Sequence, residues 1–308
     1  MTVPKISIII PCHNPDGYFT KSIQSIKKQT LQNFEVIIII DGYHNFSEEF
    51  ERLKLDERFV FIENEEQMGS GISRNKGIIA SQGEYIAFLD ADDFYPNSFV
   101  LQKLYCLANK KDVDICGGSL LICDPNDRII SRKVPGQFFE KSGILSFETY
   151  QHDGGFYRFI YRRDFLIKNN IFFPPYLRMQ DPVFFVNAMS SSKKIFVIPE
   201  YTYVYRKNHK KVNWDYKKIN DHLSAIRDLL LISRQKKFNR LHLLMCQNFI
   251  NSLINKPVTI SRHLKVIMEI LEAMSGRAIF LGYKEKTNQG LVAFLLDVTK
   301  VMMRLLKK

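Results

Sequence analysis

Three aspartates stand at the end of a short apolar run, in the sequence YIAFLDADD. Asp90 and Asp92 are two residues apart, and because side chains alternate along an extended chain, both would point to the same side. Carboxylates so placed can hold Mg²⁺ or Mn²⁺ together with the oxygens of a phosphorylated ligand. The alternative is an acidic turn in which Asp93 or Asn97 caps the helix after Pro96. The residues alone leave a cation site and a cap both open.

The run that carries these aspartates belongs to a pattern of short β-branched segments alternating with longer amphipathic ones. This pattern predicts a Rossmann-like α/β fold, with a mostly parallel sheet flanked by helices. The predicted strands are Ile6–Pro11, Glu35–Asp41, Phe59–Ile62, Tyr85–Asp90 and Asp114–Cys123, and the predicted helices are Tyr18–Gln29, Phe46–Leu55, Ser70–Ser81 and Asn97–Ala108. Ligands of such sheets bind beyond the carboxyl ends of the strands. The clusters PCHN, DGYHN and DADD fall there.

Composition indicates a globular protein. The chain has 308 residues, of which 45% are hydrophobic and 25% charged, so it can bury the core of one large domain or two packed ones. Five scattered cysteines form no CxxC pair, which argues against disulfides and zinc and favours a reducing compartment. The first apolar run, of about six residues, is too short for a signal peptide or a membrane span. We therefore expect a cytoplasmic location.

Positive charge is concentrated in the last third of the chain. Residues 206–308 hold 21 Lys and Arg against 7 Asp and Glu. Their net charge is therefore +14, whereas that of the whole chain is +12. Such asymmetry is typical of proteins that bind nucleic acid or an anionic membrane. The segment 291–308 has a basic strip opposite an apolar face, as an interfacial helix requires, although a core-facing helix would look similar. No nucleic-acid motif is present, so we expect peripheral binding to a membrane and no nucleic acid.

Four ordered segments resemble the family 2 glycosyltransferases: SIIIPCHN, NFEVIIIIDG, GISRNKGIIASQGEYIAFLDADDFYP and YRRDFLIKNNIFFP. The resemblance implies the GT-A fold, a nucleotide-sugar donor and a Mg²⁺ or Mn²⁺ cofactor. It also implies that the chain has three functional parts. Residues 1–123 would bind the nucleotide-sugar, residues 124–210 would bind the acceptor and supply the catalytic base, and residues 211–308 would form a basic helical extension, in contact with the membrane.

The resemblance assigns donor-binding roles to the loops after the first two strands. Pro11, His13 and Asn14 match positions near the base and ribose, and Asp41 matches a carboxylate that contacts uracil or ribose. Family members commonly have two adjacent acids before Gly and Ser, whereas this chain has IDGY, which leaves the nucleotide open. Asp41 could instead be a turn carboxylate beside a glycine with positive φ.

The same resemblance assigns residues around the diphosphate. Arg74 and Asn75, in GISRNKG, match a helix that faces the nucleotide. The planar guanidinium of Arg74 suits either a phosphate or Asp90, so donor contact and structural pairing remain equal alternatives. Ala91 is assigned to the donor, Asp92 to the metal, and Asp90 to both.

The acceptor side offers a candidate base and several weaker contacts. An inverting transfer needs a general base, and Asp181 in LRMQDPVFF matches the position where the family often shows Gly-Glu-Asp before a helix. An N-cap role is the alternative. A second group resembles the acceptor-side region. Exposed aromatic rings in it could stack on sugars, and the alternative is that most of this aromatic stripe belongs to the core. The members of the group are His152, Asp153, Phe156, Tyr157 and Arg206, and the stretch of Arg206 also approaches the donor diphosphate in relatives.

The sequence therefore predicts an inverting, non-processive glycosyltransferase. We expect it to use a UDP-sugar and a lipid-linked saccharide acceptor, at the inner face of a bacterial membrane, in surface polysaccharide synthesis. Processive relatives usually add membrane spans and a Q/RxxRW segment, whereas the single tryptophan here is Trp214, in VNWDY. A nucleotidyltransferase would be expected to have a Gly-rich basic loop, which PCHNPDGY lacks. A noncatalytic nucleotide-sugar-binding module remains open, as do the sugar, the linkage and the oligomeric state.

Overall fold

The structure is a computed structural model that describes residues 3–15, 17–42, 51–207 and 212–274. The chain divides into two compact units. The first comprises Met1–Tyr150, Gly154–Pro175 and Asn187–Lys211, and the second comprises Gln151–Asp153, Tyr176–Val186 and Val212–Lys308.

A mixed β-sheet forms the centre of the first unit. Within the described residues it has nine strands, which are β1 (Ile6–Cys12), β2 (Phe34–Asp41), β3 (Phe59–Asn64), β4 (Tyr85–Phe88), β5 (Ile115–Cys123), β6 (Ile129–Ser131), β7 (Gly143–Ile144), β8 (Phe159–Arg162) and β9 (Ile195–Arg206). Their order is β3-β2-β1-β4-β8-β5-β9-β7, with β6 paired to β5. The first four of these are parallel, and β8 is antiparallel to both β4 and β5. The predicted α/β fold is confirmed.

Helices accompany the strands of the sheet. They are α1 (Gly17–Lys27), α2 (Ser70–Ala80), α3 (Val100–Lys111), α4 (Phe147–Tyr150), α5 (Arg163–Lys168) and α6 (Gln180–Ser191), with a 3₁₀ turn at Phe156–Arg158. The first three lie within a few residues of the predicted helices. The first half of the predicted helix Phe46–Leu55 lies outside the described part of the chain, and in its second half residues 51–53 are helical. The isoleucine runs of β1 and β2 are buried almost throughout, as expected for strands covered on both faces.

The register of the parallel strands determines where the polar clusters meet. Ile9 pairs with Ile37 of β2 and with Phe88 of β4, so the carboxyl ends of all three strands lie at the same edge. His13 after β1, Asp41 at the end of β2 and the DADD turn after β4 therefore lie at one end of the sheet. This is the edge at which open α/β sheets bind ligands.

The second unit is helical in its C-terminal part. Its helices among the described residues are α7 (Tyr216–Gln235), α8 (Asn239–Asn255) and α9 (Ile260–Ala273). Helix α7 packs on both α8 and α9 through buried side chains such as Leu223, Phe249 and Ile270. None of the described helices combines the length and apolar character of a membrane span. The amphipathic segment predicted at 291–308 lies outside the described residues.

Helix α2 lies directly against β1 at Gly77, and this contact predicts a sharp effect of substitution. A Cβ at Gly77 would lie 2.4 Å from Cγ2 of Ile9, which is fully buried and has no room to move. We expect Gly77→Ala to lower the free energy of unfolding by about 1–3 kcal/mol through overpacking, as measured by urea denaturation. Gly17→Ala is the control, because no atom lies within 4 Å of its added Cβ. Equal destabilisation by both changes would contradict the close contact.

Candidate active site

The three aspartates of the DADD turn converge, as the sequence suggested. Strand β4 ends at Phe88, and the turn is closed by a hydrogen bond from the Asp93 amide to the Asp90 carbonyl, 3.0 Å long. Carboxylate oxygens of Asp90, Asp92 and Asp93 all lie within 4.8 Å of one another. Asp90 and Asp92 are half-buried, whereas Asp93 is only 1% exposed. The turn thus gathers three acids, two of which reach the surface.

Asp93 fixes the aspartate turn to strand β9. Its carboxylate accepts hydrogen bonds from the Tyr203 hydroxyl (2.8 Å) and from the Arg206 amide (2.7 Å), both on β9. Burial raises the pKa of Asp93 well above its usual value, and the neighbouring charges of Asp90 and Asp92 raise it further, while these two donors oppose the shift. The alternative in which Asp93 caps a helix is therefore wrong. Helix α3 begins at Val100 and has no side-chain cap at its N-terminus.

Two residues of β9 position the aspartate turn, and sequence reasoning missed this role. The Tyr203 hydroxyl accepts a hydrogen bond from the Asp90 amide, 3.0 Å long. The Arg206 guanidinium donates from Nε to the Asp92 carbonyl (2.9 Å) and forms an ion pair with Asp127 (2.5 Å). Arg206 is fully buried, so its surroundings give no support to its predicted contact with an acceptor. The alternating tyrosines of YTYVYR were the only signal, and they indicated no more than a strand.

Arg74 pairs with Asp90. Its Nη2 donates to Oδ1 of Asp90 over 2.6 Å, and the guanidinium, which is 2% exposed, lies over the rings of Phe156 and Phe173 at 4.8 and 5.2 Å. A short bond between a guanidinium and a carboxylate is among the stronger hydrogen bonds in proteins. Of the two alternatives, the structure displays the structural pairing. Arg74 thus offsets part of the negative charge that the turn concentrates.

Asn75 is likewise engaged inside the protein. Its amide nitrogen donates to the Phe173 carbonyl (2.8 Å), and its amide oxygen accepts from the Phe173 amide (2.9 Å). Both halves of the side chain are therefore used to fix the segment around Phe173. These bonds give Asn75 a packing role, and its predicted contact with the donor remains a prediction.

The predicted pair of exposed aromatic rings is half wrong. Phe156 is 1% exposed and packs against Phe88 and Phe173, with ring centroids 5.6 and 5.4 Å away. A ring so enclosed is a core residue and cannot stack on a sugar. Tyr157 is half-buried, and its ring stacks on Tyr203 at 4.3 Å. Tyr157 therefore supports the tyrosine that holds the aspartate turn.

Asp41 organises the loop that leads into α2. Its carboxylate accepts from the Asn64 side chain (2.7 Å) and from the amides of Met68 (2.8 Å) and Gly69 (2.9 Å), just before the helix begins. A negative charge at this position also interacts favourably with the helix dipole. Asp41 is 4% exposed. The turn-carboxylate alternative thus describes its contacts, and its predicted bond to a base or ribose remains a prediction.

The end of β1 lies beside Asp41. His13 is exposed, and its Nδ1–H donates to the Asp41 carbonyl over 2.6 Å. Asn14 is also exposed. Pro11 is half-buried, as is Ala91, which lies between Asp90 and Asp92 in the sequence. These predicted donor-binding residues lie at or just beyond the carboxyl ends of β1 and β4, which are neighbours in the sheet. They therefore share the edge that carries the acidic cluster.

The remaining predicted residues belong to the second unit. Asp181 is half-buried in the first turn of α6, one residue after the helix begins at Gln180. Met179, directly before this helix, has a φ of 64°, which is uncommon for a residue with a side chain. His152 and Asp153 are half-buried, and burial raises the pKa of the Asp153 carboxyl.

The acidic cluster fits a divalent cation. Carboxylate oxygens are the ligands that Mg²⁺ and Mn²⁺ prefer, and three of them already lie within reach of one ion. Because Asp93 accepts from β9 and one oxygen of Asp90 accepts from Arg74, the groups that could hold a cation are Asp92 and the second oxygen of Asp90. A cation held there would bind and neutralise the oxygens of a phosphorylated ligand.

Comparison with known proteins agrees with this geometry. The Glycosyl transferase family 2 profile matches residues 7–169, more than half of the chain. EpsJ of Bacillus subtilis, described as an uncharacterized glycosyltransferase, is 30% identical over 67% of this chain and 62% of its own length. A poly(ribitol-phosphate) beta-glucosyltransferase of Bacillus spizizenii is 28% identical over 65% of this chain and 32% of its own length. The chain therefore belongs to glycosyl transferase family 2.

A solved structure has the same architecture. Residues 1–349 of TarS from S. aureus, in complex with UDP-GlcNAc, superpose with a TM-score of 0.73 at 18% identity, over 89% of this chain and 82% of that one. At this identity the likeness concerns the fold, which is GT-A. Membership of a glycosyltransferase family also argues against the nucleotidyltransferase alternative.

Tyr203 provides a test of how the aspartate turn is held. Tyr203→Phe removes one hydroxyl and leaves both the Asp90 amide and the buried Asp93 carboxylate without that partner. We expect the free energy of unfolding to fall by about 1–3 kcal/mol, because buried polar groups that lose a partner are costly. Urea denaturation measures the change. Tyr201→Phe, on the same strand, is the matched control and should cost less than half as much. A Tyr203→Phe protein as stable as the wild type would show that β9 does not hold the turn.

Proposed function

We propose that this protein is an inverting, non-processive glycosyltransferase that uses Mg²⁺ or Mn²⁺ and a UDP-sugar. Its acceptor would be a lipid-linked saccharide at the inner face of the cytoplasmic membrane, in the synthesis of a bacterial surface polysaccharide. The observation that carries the proposal is the cluster of Asp90, Asp92 and Asp93 at the carboxyl end of the parallel strands. Such a cluster answers the main need of the reaction, which is to neutralise a diphosphate leaving group.

The comparisons support the finer parts of this proposal. TarS has been solved in complex with UDP-GlcNAc and with UDP, which favours a UDP-linked donor for a chain with the same fold. The name of the Bacillus spizizenii relative joins a glucosyltransferase to poly(ribitol-phosphate), which favours a polymer acceptor. The three-part division remains part of the proposal. Residues 1–123 would bind the donor, 124–210 the acceptor and base, and 211–308 the membrane.

On the donor side, the protein supplies a site that is arranged before the ligand arrives. A bound divalent cation would supply positive charge to the departing diphosphate. Asp92 and Asp90 would hold that cation. Arg74 fixes the Asp90 carboxylate, and Tyr203 fixes the Asp90 main chain through the amide. Because these groups are already in place, little reorganisation is needed when charge develops on the leaving group.

On the acceptor side, Asp181 would act as the general base. It would take the proton from the acceptor hydroxyl as that oxygen attacks the anomeric carbon, while the bond from that carbon to the diphosphate breaks. Attack from the side opposite to the leaving group inverts the configuration. Asp181 suits this role because it is half-buried in the first turn of α6, where its carboxylate is partly shielded from water.

Asp92 tests the metal assignment. In Asp92→Asn the ligand is neutral and binds a hard cation less well, so we expect Mn²⁺-dependent thermal stabilisation by UDP-sugars to disappear and turnover to fall at least 100-fold. The measurement is a thermal-shift screen of UDP-, GDP- and TDP-sugars with and without Mn²⁺. Asp164→Asn, an exposed acid on α5, is the control and should behave as the wild type. Equal stabilisation by every donor without metal would contradict the cation site.

Asp181 tests whether the protein is a catalyst or only a nucleotide-sugar-binding module. Asp181→Asn should keep the affinity for the donor, measured by calorimetry, and lower kcat by about 10²–10⁴, because only the proton acceptor is lost. A module without catalytic activity would show no transfer in either protein. Unchanged turnover in the variant would remove Asp181 from the mechanism.

The membrane assignment depends on the net charge of +14 in residues 206–308. We expect the protein to float with vesicles that contain anionic lipid at low salt and to be released at about 0.5 M salt, where charges are screened beyond roughly 4 Å. Vesicles of neutral lipid are the control. Equal binding to both kinds of vesicle, or to neither, would exclude an electrostatic association.

A further inference from the structure

Two positive side chains converge on the ring of Trp214 in the second unit. The Arg178 guanidinium carbon lies 5.8 Å from the ring centroid and the Lys256 ammonium nitrogen lies 4.4 Å from it. The ring of His222 meets Trp214 edge to face, with centroids 5.5 Å apart. Trp214, Arg178 and Lys256 are half-buried, so the cluster reaches the surface. We call these three residues the tryptophan cluster.

Within the described part of the chain, no acid balances the positive charge of the tryptophan cluster. Across residues 3–15, 17–42, 51–207 and 212–274, no carboxylate forms an ion pair with Arg178 or Lys256. The two acids closest along the chain to Trp214 have other partners. Asp215 caps α7 and pairs with Lys218 (2.8 Å). Asp221 accepts from the Leu177 amide (2.9 Å) and from Lys217 (3.2 Å).

The pKa values of Lys256 and His222 reflect the same excess of positive charge. Burial lowers the pKa of Lys256, and the charge of Arg178 lowers it further. Burial, followed by the charges of Lys256 and Arg178, lowers the pKa of His222 to about 4, so His222 is neutral at pH 7. Like charges held together in partly buried surroundings are unfavourable unless an anion joins them. An anion here would relieve the repulsion.

Arg178 is held in place by its neighbours. The Tyr176 hydroxyl donates to Asp228 of α7 (2.7 Å), and the Leu177 amide donates to Asp221 of the same helix. The main chain on the N-terminal side of Arg178 is thus fixed to α7. The Nε of Arg178 is buried and has no hydrogen-bond partner among the described residues. An anion bound beside the guanidinium would supply an acceptor of the kind that buried donors usually have.

From these observations we infer that Arg178, Lys256 and Trp214 form a binding site for a phosphate group carried by the acceptor. A phosphate has several oxygens, so it can accept from a guanidinium and from an ammonium at the same time. Packing of cations on an aromatic ring explains the distances but not the lack of an acidic partner among the described residues. Arg178 is three residues before Asp181. The assignment to the acceptor rests on the proposed function, whereas the binding of phosphate does not.

The single tryptophan makes the site directly observable, because all tryptophan fluorescence comes from Trp214. We expect titration with inorganic phosphate to change this fluorescence to saturation, and sodium chloride at equal ionic strength to have no such effect. Arg178→Gln and Lys256→Gln should each raise the half-saturating concentration about tenfold or more, because each removes a charged hydrogen-bond donor. Lys265→Gln, an exposed lysine on α9, is the matched control and should bind as the wild type.

Calorimetry with the same phosphate solutions provides a second measurement that is independent of the ring, and circular dichroism reports whether each variant is folded. No saturable binding to the wild type, or equal binding to folded glutamine variants, would overturn the site. Two further ligands distinguish the sources of the phosphate. A soluble alditol-phosphate oligomer tests a phosphate within the acceptor chain, and a polyprenyl diphosphate in detergent tests the lipid linkage. Binding of inorganic phosphate but of neither ligand would overturn the assignment to the acceptor.

The outcome does not depend on transferase activity. If phosphate binds as expected and no donor is ever turned over, the proposed function fails and the site stands. If the protein transfers sugar, Arg178→Gln should raise the KM for a phosphorylated acceptor about tenfold while kcat and the KM for the donor stay unchanged. A fall in kcat alone would assign Arg178 to another role.

Discussion

The candidate site depends on one buried interaction, the anchoring of the Asp93 carboxylate by the Tyr203 hydroxyl and the Arg206 amide. A carboxylate this deeply buried is costly unless hydrogen bonds replace its water. Strand β9 supplies both bonds, and the Tyr203 hydroxyl also receives the amide of Asp90. The turn between β4 and α3 is thereby fixed to a strand more than 100 residues away, and Asp90 and Asp92 keep their positions at the surface.

The acidic turn has an electrostatic cost that its surroundings only partly offset. Three carboxylates within 4.8 Å repel one another, which contributes to the raised pKa of Asp93. Arg74 offsets one charge through its short bond to Asp90. What remains is negative and directed to the edge where β1, β2 and β4 end, which is where a divalent cation would bind most favourably. The repulsion among the three carboxylates destabilises the protein without a cation, and it therefore favours cation binding.

The second unit has the opposite imbalance. Arg178 and Lys256 place uncompensated positive charge around Trp214, whereas the first unit concentrates negative charge in the DADD turn. An enzyme that joins a metal-bound diphosphate donor to a phosphorylated acceptor needs both kinds of site. Helix α6 carries Asp181 shortly after Arg178, so the proposed base and the proposed phosphate contact lie on one short segment.

Local periodicity and residues adjacent along the chain were enough to predict the α/β fold, the parallel strands and the cluster of aspartates. They left Arg74 and Asp41 with two interpretations each, and the structure shows Arg74 paired with Asp90 and Asp41 holding the loop before α2. Local patterns did not establish that Phe156 is core, that β8 enters the sheet between β4 and β5, or that Tyr203 and Arg206 hold the aspartate turn. These contacts join residues far apart in sequence, and neither propensity nor spacing encodes which distant strand satisfies a buried carboxylate.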